Sequence, residues 1–325
     1  MKVSNEKLKE IYLLMKRCRV FEERAVMEYR KGLIPGLLHT SVGQEAISAA
    51  VCAMLQKEDY ILTTHRGHSD IISKGARFDK MMAELFARKT GYCKGKAGSM
   101  HIVVPERNVL GCSAIVGAGV PIACGVAMAC KMKNWGRVTV CFLGDGATFT
   151  GAFHEGVGIA AAFDLPAVFV CENNQYAVST YWKDYLKLQN IAARSKGYGI
   201  PGGSVDGMDA KAIAEAAGDA IERARAGGGP TFIEGRTYRY YGHGQYDPGT
   251  TYRTKEELEK WKKKDPIERL YFFLLREGLV TEQENEEMDA SLSRELDEAV
   301  DFALKSPEPE IEESLTDVYC EHFNE

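Results

Sequence analysis

The sequence predicts an α/β fold, a mostly parallel sheet flanked by helices with helical extensions at both ends. Three observations carry that expectation. Residues 138–143 (VTVCFL) and 167–171 (AVFVC) are short, uninterrupted apolar runs, the pattern of strands buried on both faces. A helix-length stretch rich in Ala and Gly, 152–163, lies between them and gives the spacing of a βαβ crossover. A helix over 211–226 and a strand over 231–234 continue the alternation.

The remaining elements follow in order. Residues 5–32 read as a helix with Leu8, Ile11, Leu14 and Met15 on one face, broken by Pro35 and Gly36. Helices are expected at 42–55, 67–75 and 78–88, then a Gly- and Lys-rich loop over 93–101. A helix over 117–133 precedes the first apolar strand. After Arg236 the pattern changes. Residues 237–257 are aromatic, contain Gly and show no period, too long a stretch for a turn and hence a candidate functional loop. Helices are expected at 254–263, 265–276 and 281–305, and the tail after Pro307 is acidic. With no repeat and no linker, residues 1–325 read as one domain whose last part, from about residue 254, is helical.

Composition narrows the function classes. The chain has 325 residues, 45% of them hydrophobic, and a net charge of −5. That is enough apolar matter for a large core. No basic stripe marks a nucleic-acid binder. No run of about 18 apolar residues marks a membrane span, and the charged start lacks a secretory signal, so a cytoplasmic protein is expected. The nine cysteines form no CxxC pair and are odd in number. They read as free thiols, and their spacing gives no zinc motif.

The chemistry centres on Gly144-Asp145-Gly146 and Asn173-Asn174, each placed just after an expected strand. The carboxyl edge of a parallel sheet is where ligands bind. Asp145 offers an anionic oxygen and Asn174 an amide oxygen, the hard donors that magnesium takes beside phosphate oxygens and water. The two glycines allow a tight turn close to phosphate. Gly146 and Ala147 lead toward a helix whose first amides can donate to an anion. A lone GDG is commonly only a turn; the Asn pair after the next strand makes it a metal–diphosphate candidate, the pattern of thiamine-diphosphate enzymes.

Further segments sharpen the match. They are LLHTSVGQEA (37–46), TTHRGHSD (63–70), KGKAGSMH (94–101), AIVGAGVP (114–121), LGDGATFTGAFHE (143–155), FVCENNQYAVST (169–180), VDGMD (205–209) and 237–257. In order and content the chain resembles the alpha chains of pyruvate, branched-chain 2-oxo acid and acetoin dehydrogenase complexes. The resemblance implies a thiamine-diphosphate-binding fold, with thiamine diphosphate and Mg2+ as cofactors. It implies Asp145, the Asn174 side chain and the Tyr176 carbonyl as metal ligands, and Arg66 on the diphosphate, where its planar fork suits phosphate oxygens. Ala114 and Val116 stand where the backbone meets the aminopyrimidine ring; relatives often carry glycine at the first position. His243, in YGHG, matches a histidine near the reacting centre, and His39 one in substrate contact. His65 stands where several relatives have tyrosine. The plain alternatives are a surface arginine for Arg66 and a buried, hydrogen-bonded histidine for His39. His68, His101 and His154 receive no role.

The resemblance also implies the reaction. A C–C bond of acetoin, or alternatively of pyruvate, is cleaved, and the acyl unit passes to a lipoyl group on a partner acyltransferase. It further implies a beta chain in an α2β2 assembly, because the glutamate that activates the aminopyrimidine belongs to a second α/β domain for which this chain has too little length. Glu45 is read as a helix-start residue and not as that glutamate. A branched 2-oxo acid is the weaker substrate reading. A nicotinamide dehydrogenase would need GxGxxG after the first strand; the nearest echo, 117–125, precedes its strand. A catalytically silent subunit would have no use for Asp145, Asn174, Arg66 and His243 together.

Overall fold

The computed structural model describes residues 2–317. Eight strands are assigned: β1 (Tyr60–Thr64), β2 (Val109–Ser113), β3 (Thr139–Gly144), β4 (Ala167–Asn173), β5 (Tyr176–Ala177), β6 (Thr180–Tyr181), β7 (Gly202–Asp206) and β8 (Thr231–Arg236). Six form one sheet in the order β2-β1-β3-β4-β8-β7, with every pairing parallel. The expected α/β fold is therefore present. The runs 138–143 and 167–171 are its two central strands, β3 and β4. Sequence reading missed β1, β2 and β7. β2 and β7 lie at the sheet edges and are half-exposed. β1 has only Ile61 and Leu62 as aliphatic residues beside its threonines. None shows the long apolar run that marks a strand buried on both faces.

Successive strand residues point to opposite faces, and the core divides accordingly. Val140, Phe142, Val168, Val170 and Ile233 join one apolar cluster; Cys141, Leu143, Phe169, Cys171 and Phe232 join the other. The first cluster is covered by α1 (Asn5–Arg30), α2 (Glu45–Ala53), α3 (His68–Ser73) and α4 (Phe78–Leu85). The second is covered by α5 (Gly119–Met132) and α6 (Gly151–Ala162). A short helix, α7 (Trp182–Tyr185), follows the β5–β6 hairpin. On the first face lie also α8 (Ala210–Arg225), α10 (Pro266–Arg276) and α11 (Glu282–Lys305), with α9 (Lys255–Lys262) between α8 and α10 in the chain. Helix starts follow the sequence. Ser4, Thr150, Asp209, Thr254, Asp265 and Thr281 each accept a backbone N–H at an N-cap.

The segment after β8 is ordered by side chains and not by regular structure. Arg253 donates to the carbonyls of Arg239 (2.7 Å) and Tyr241 (2.6 Å). The Asp247 carboxylate accepts from the His243 amide (2.7 Å) and the Tyr252 hydroxyl (2.6 Å). The eight cysteines among the described residues are free thiols, as expected, and Cys320 lies outside that range. Among the described residues no helix is long and apolar enough to cross a membrane.

Candidate active site

The carboxyl ends of β1, β3 and β4 open onto one pocket of about 780 Å3 including its mouth, a size ordinary for small-molecule sites. β1 delivers His65 and Arg66, β3 delivers Asp145, and β4 delivers Asn174; the segment after β8 adds Arg239 and His243. Residues scattered over the sequence meet there because a parallel sheet sends all its carboxyl ends to one edge.

Asp145 is 2% exposed, and burial raises its carboxyl above the usual carboxylate range. The Tyr185 hydroxyl donates to its Oδ2 at 2.5 Å. Asn174 donates through Nδ2 to Gln44 Oε1 (3.1 Å), which fixes the amide plane. The Tyr176 carbonyl accepts from Arg239 Nη1 at 2.9 Å, leaving it one further lone pair. The expected tight-turn role of the GDG glycines is not what the backbone uses. Neither Gly144 nor Gly146 has positive φ. Gly146 is needed for space, since a Cβ there would lie 2.9 Å from Ala177 Cβ. The helix expected over 152–163 is α6, which begins at Gly151, and a 3-10 turn, Asp145–Phe149, separates it from the GDG strand end.

Arg66 and Arg239 are 4% and 1% exposed. Arg66 donates to the carbonyls of Thr40 (3.0 Å) and His243 (2.5 Å), and Arg239 to the carbonyls of Tyr176 and Val178 and to the Tyr252 hydroxyl. Among the described residues neither forms an ion pair with a carboxylate, and Arg239 Nε is buried without a partner. Burial and the like charge of Arg239 push Arg66 down to about 9. Two buried guanidiniums with no carboxylate partner call for an anion. Asp145 and the Asn174 amide, on the same pocket, supply the donors for a cation beside it. The arrangement fits a metal-bound diphosphate.

The three predicted histidines come together. His39 packs edge-on against His65 and His243, with ring centroids 5.0 and 4.9 Å away. Burial first, then the positive charge of Arg66, lowers His39 to about 3, His65 to about 2 and His243 to about 4. All three are neutral near pH 7. His39 Nδ1 and His65 Nε2 are buried without partners and so free to meet a polar ligand. His65 and His243 line the pocket and His39 lies behind them. Val116, Gly146, Ala147 and Tyr176 line it too, whereas Ala114 does not, although its neighbours Ser113 and Ile115 do.

The other histidines fall elsewhere. His68 is buried against Glu22 (3.0 Å) and Ser99. His154 bonds Tyr198 on the surface of α6. Glu45 opens α2, where its carboxylate meets Arg19 (2.5 Å) and the Gly43 amide (3.0 Å), the helix-start role expected of it. Sequence reading missed Arg239, Glu172 and Tyr185. Arg239 stood five residues past an expected strand end, and Glu172 is an acid directly after an expected apolar strand; both were signals. Nothing in the sequence marked Tyr185. Glu172 lies on the pocket floor near Asp70. Burial pushes Asp70 up to about 7, and burial together with Asp70 pushes Glu172 well above the carboxylate range.

A parallel-sheet edge carrying this donor set is a site for a metal-bound diphosphate. The chain belongs to the dehydrogenase E1 component family, which it matches over residues 14–312. It is 43% identical to the alpha subunit of acetoin:2,6-dichlorophenolindophenol oxidoreductase from Bacillus subtilis, over 98% of this chain and 96% of that one. The subunit of the same name from Cupriavidus necator is 40% identical, with the same two coverages. The pyruvate dehydrogenase E1 component subunit alpha of Porphyra purpurea is 39% identical over 96% of this chain and 92% of its own length.

Proposed function

We propose that this chain is the alpha subunit of an acetoin-cleaving dehydrogenase that works with thiamine diphosphate and Mg2+. The observation that carries the reading is the pair of buried, carboxylate-free arginines, Arg66 and Arg239, sharing one pocket with Asp145 and Asn174. In this reading Arg66 and Arg239 hold the diphosphate, and Asp145, Asn174 and the Tyr176 carbonyl hold Mg2+. The amides of Gly146 and Ala147 donate to the anion. Backbone at Val116, which lines the pocket, meets the aminopyrimidine.

Thiamine diphosphate, when bound, supplies the nucleophile and the electron sink for C–C cleavage. The chain's own residues bind, orient and shield. His39, His65 and His243, neutral at pH 7, present ring nitrogens that accept or donate hydrogen bonds to a small carbonyl or hydroxyl without adding charge. Such a set suits acetoin, which has no carboxylate to neutralise. The competing substrate is pyruvate, supported by the similarity to a pyruvate dehydrogenase subunit.

The pocket rim supports an assembly with a partner chain. Ile115, Val116 and Val178 line the pocket and are 72%, 52% and 54% exposed. Apolar side chains around a polar site mark a surface completed by a partner. The relatives are named as subunits alpha. The partner in this reading is a beta chain in an α2β2 tetramer, and a lipoyl-bearing acyltransferase takes the acyl unit.

The test has two arms. Asp145→Ala should abolish Mg2+-dependent thiamine diphosphate binding, measured by calorimetry, while circular dichroism remains that of the folded chain; unchanged affinity refutes the site. Turnover with acetoin, pyruvate and a branched 2-oxo acid, measured with the beta chain present, should be fastest with acetoin. Preference for the branched acid refutes both substrate readings.

A further inference from the structure

We infer that Tyr185 is a positioning residue for the metal site, fixing the Asp145 carboxylate through the hydrogen bond from its hydroxyl. The inference rests on the reading of Asp145, Asn174 and Tyr176 as the Mg2+ ligands.

The contact is made by a braced structure. Tyr185 ends α7, and its hydroxyl lies 2.5 Å from Asp145 Oδ2. Its ring meets Phe149 edge-on, with centroids 4.6 Å apart, and the Arg194 guanidinium covers Phe149 at 4.2 Å. At the other end of α7, Trp182 is 1% exposed. Its backbone N–H and its indole N–H both donate to Gln175, to the main-chain and the side-chain oxygen, each at 3.0 Å. Gln175 stands between Asn174 and Tyr176. The segment 174–185 therefore leaves β4, supplies two of the proposed ligands, turns through the β5–β6 hairpin and returns to hold the third.

The physical consequence concerns the carboxylate torsion. The terminal torsion of an aspartate is broad, so an unheld Asp145 would turn between several orientations in the pocket. With Oδ2 engaged, the plane is set and the second oxygen is left to the cation. A phenol does this without bringing a charge that competes with the metal. Partners of this kind, bonded to a ligand and not to the metal, commonly govern affinity by about 10–100-fold. The opposite role, a hydroxyl that occupies Asp145 and must leave before the cation enters, uses the same contact and predicts the opposite sign.

The experiment is a Mg2+ titration of the full chain by calorimetry at saturating thiamine diphosphate, comparing wild type, Tyr185→Phe and Asp145→Ala. Tyr185→Phe keeps the ring on Phe149 and removes only the hydroxyl. The expected result is a Mg2+ Kd raised about tenfold or more, with the metal-free melting temperature unchanged. With the beta chain added, the KM for Mg2+ should rise while kcat at saturating Mg2+ stays near wild type. Unchanged Mg2+ affinity overturns the inference, as does tighter binding, which would make the hydroxyl a competitor. A fall in the metal-free melting temperature without any change in Kd overturns it too, as a purely structural role. If wild type and Asp145→Ala bind Mg2+ alike, the metal-site reading itself fails. If Asp145→Ala alone loses binding, only the role of Tyr185 fails.

Discussion

Arg66 and His243 stand 177 residues apart in the chain, yet one guanidinium nitrogen, Nη2, reaches both the His243 ring (Nδ1, 2.9 Å) and its backbone carbonyl (2.5 Å). This contact ties the turn after β1 to the segment after β8 across the mouth of the pocket. The two sides of the proposed diphosphate site are thus joined by the cation that would grip it.

Arg66→Met should therefore have two effects. Loss of a charge-assisted bond weakens thiamine diphosphate binding by about 10–100-fold, in line with about 1.5–3 kcal/mol for hydrogen bonds to charged groups. Loss of the link to His243 exposes the segment 240–253 to protease in the apo chain. Calorimetry and limited proteolysis read the two effects separately. Wild-type cofactor affinity in the variant would remove Arg66 from the site.

The histidine cluster gives a pH dependence with a defined sign. His39, His65 and His243 are held below their ordinary value of 6.5, at about 3, 2 and 4. Below pH 6.5 the unfolded chain gains protons that the folded chain refuses, so stability is lost as pH falls from about 6.5 toward 4. The apo melting temperature should drop across that window, and the drop should be smaller in His65→Asn. A wild-type curve flat between pH 6.5 and 4 would show that the cluster accepts protons when folded.

The chain alone should not turn over acetoin. In the proposed assembly the glutamate that activates the aminopyrimidine comes from the beta chain, since Glu45, the tempting internal residue, is engaged by Arg19 and Gly43. Assay with a dye acceptor should show activity only after the beta chain is added. Full turnover by the isolated chain would put the glutamate within these 325 residues.

Gly43 is a stability determinant. Its φ is +98°, and a Cβ there would lie 2.3 Å from the Tyr238 carbonyl oxygen. The neighbouring Tyr240 N–H donates to the Val42 carbonyl at 2.9 Å, and Thr237 Oγ1 to the Gly43 carbonyl at 2.8 Å. Gly43→Ala should cost about 1–3 kcal/mol from backbone strain, with further loss from the clash, measured by urea unfolding. Wild-type stability would mean that the two segments can separate freely.

The sequence by itself determined the α/β class, most of the helices, the two strands at the centre of the sheet and β8 beside them. Burial on both faces writes a continuous apolar run, and β3 and β4 carry it. It also determined the position of Asp145 and Asn174, because a strand's end is local and the ligand edge follows from it. Only the tertiary structure decided the rest. The edge strands β2 and β7 meet solvent, so their composition carries no strand signal. Arg239 joins the pocket and Tyr185 its Asp145 through contacts with residues 63 and 40 positions away, at Tyr176 and Asp145. Such contacts depend on how the sheet edge folds back on itself, and no local pattern in the chain encodes that distance.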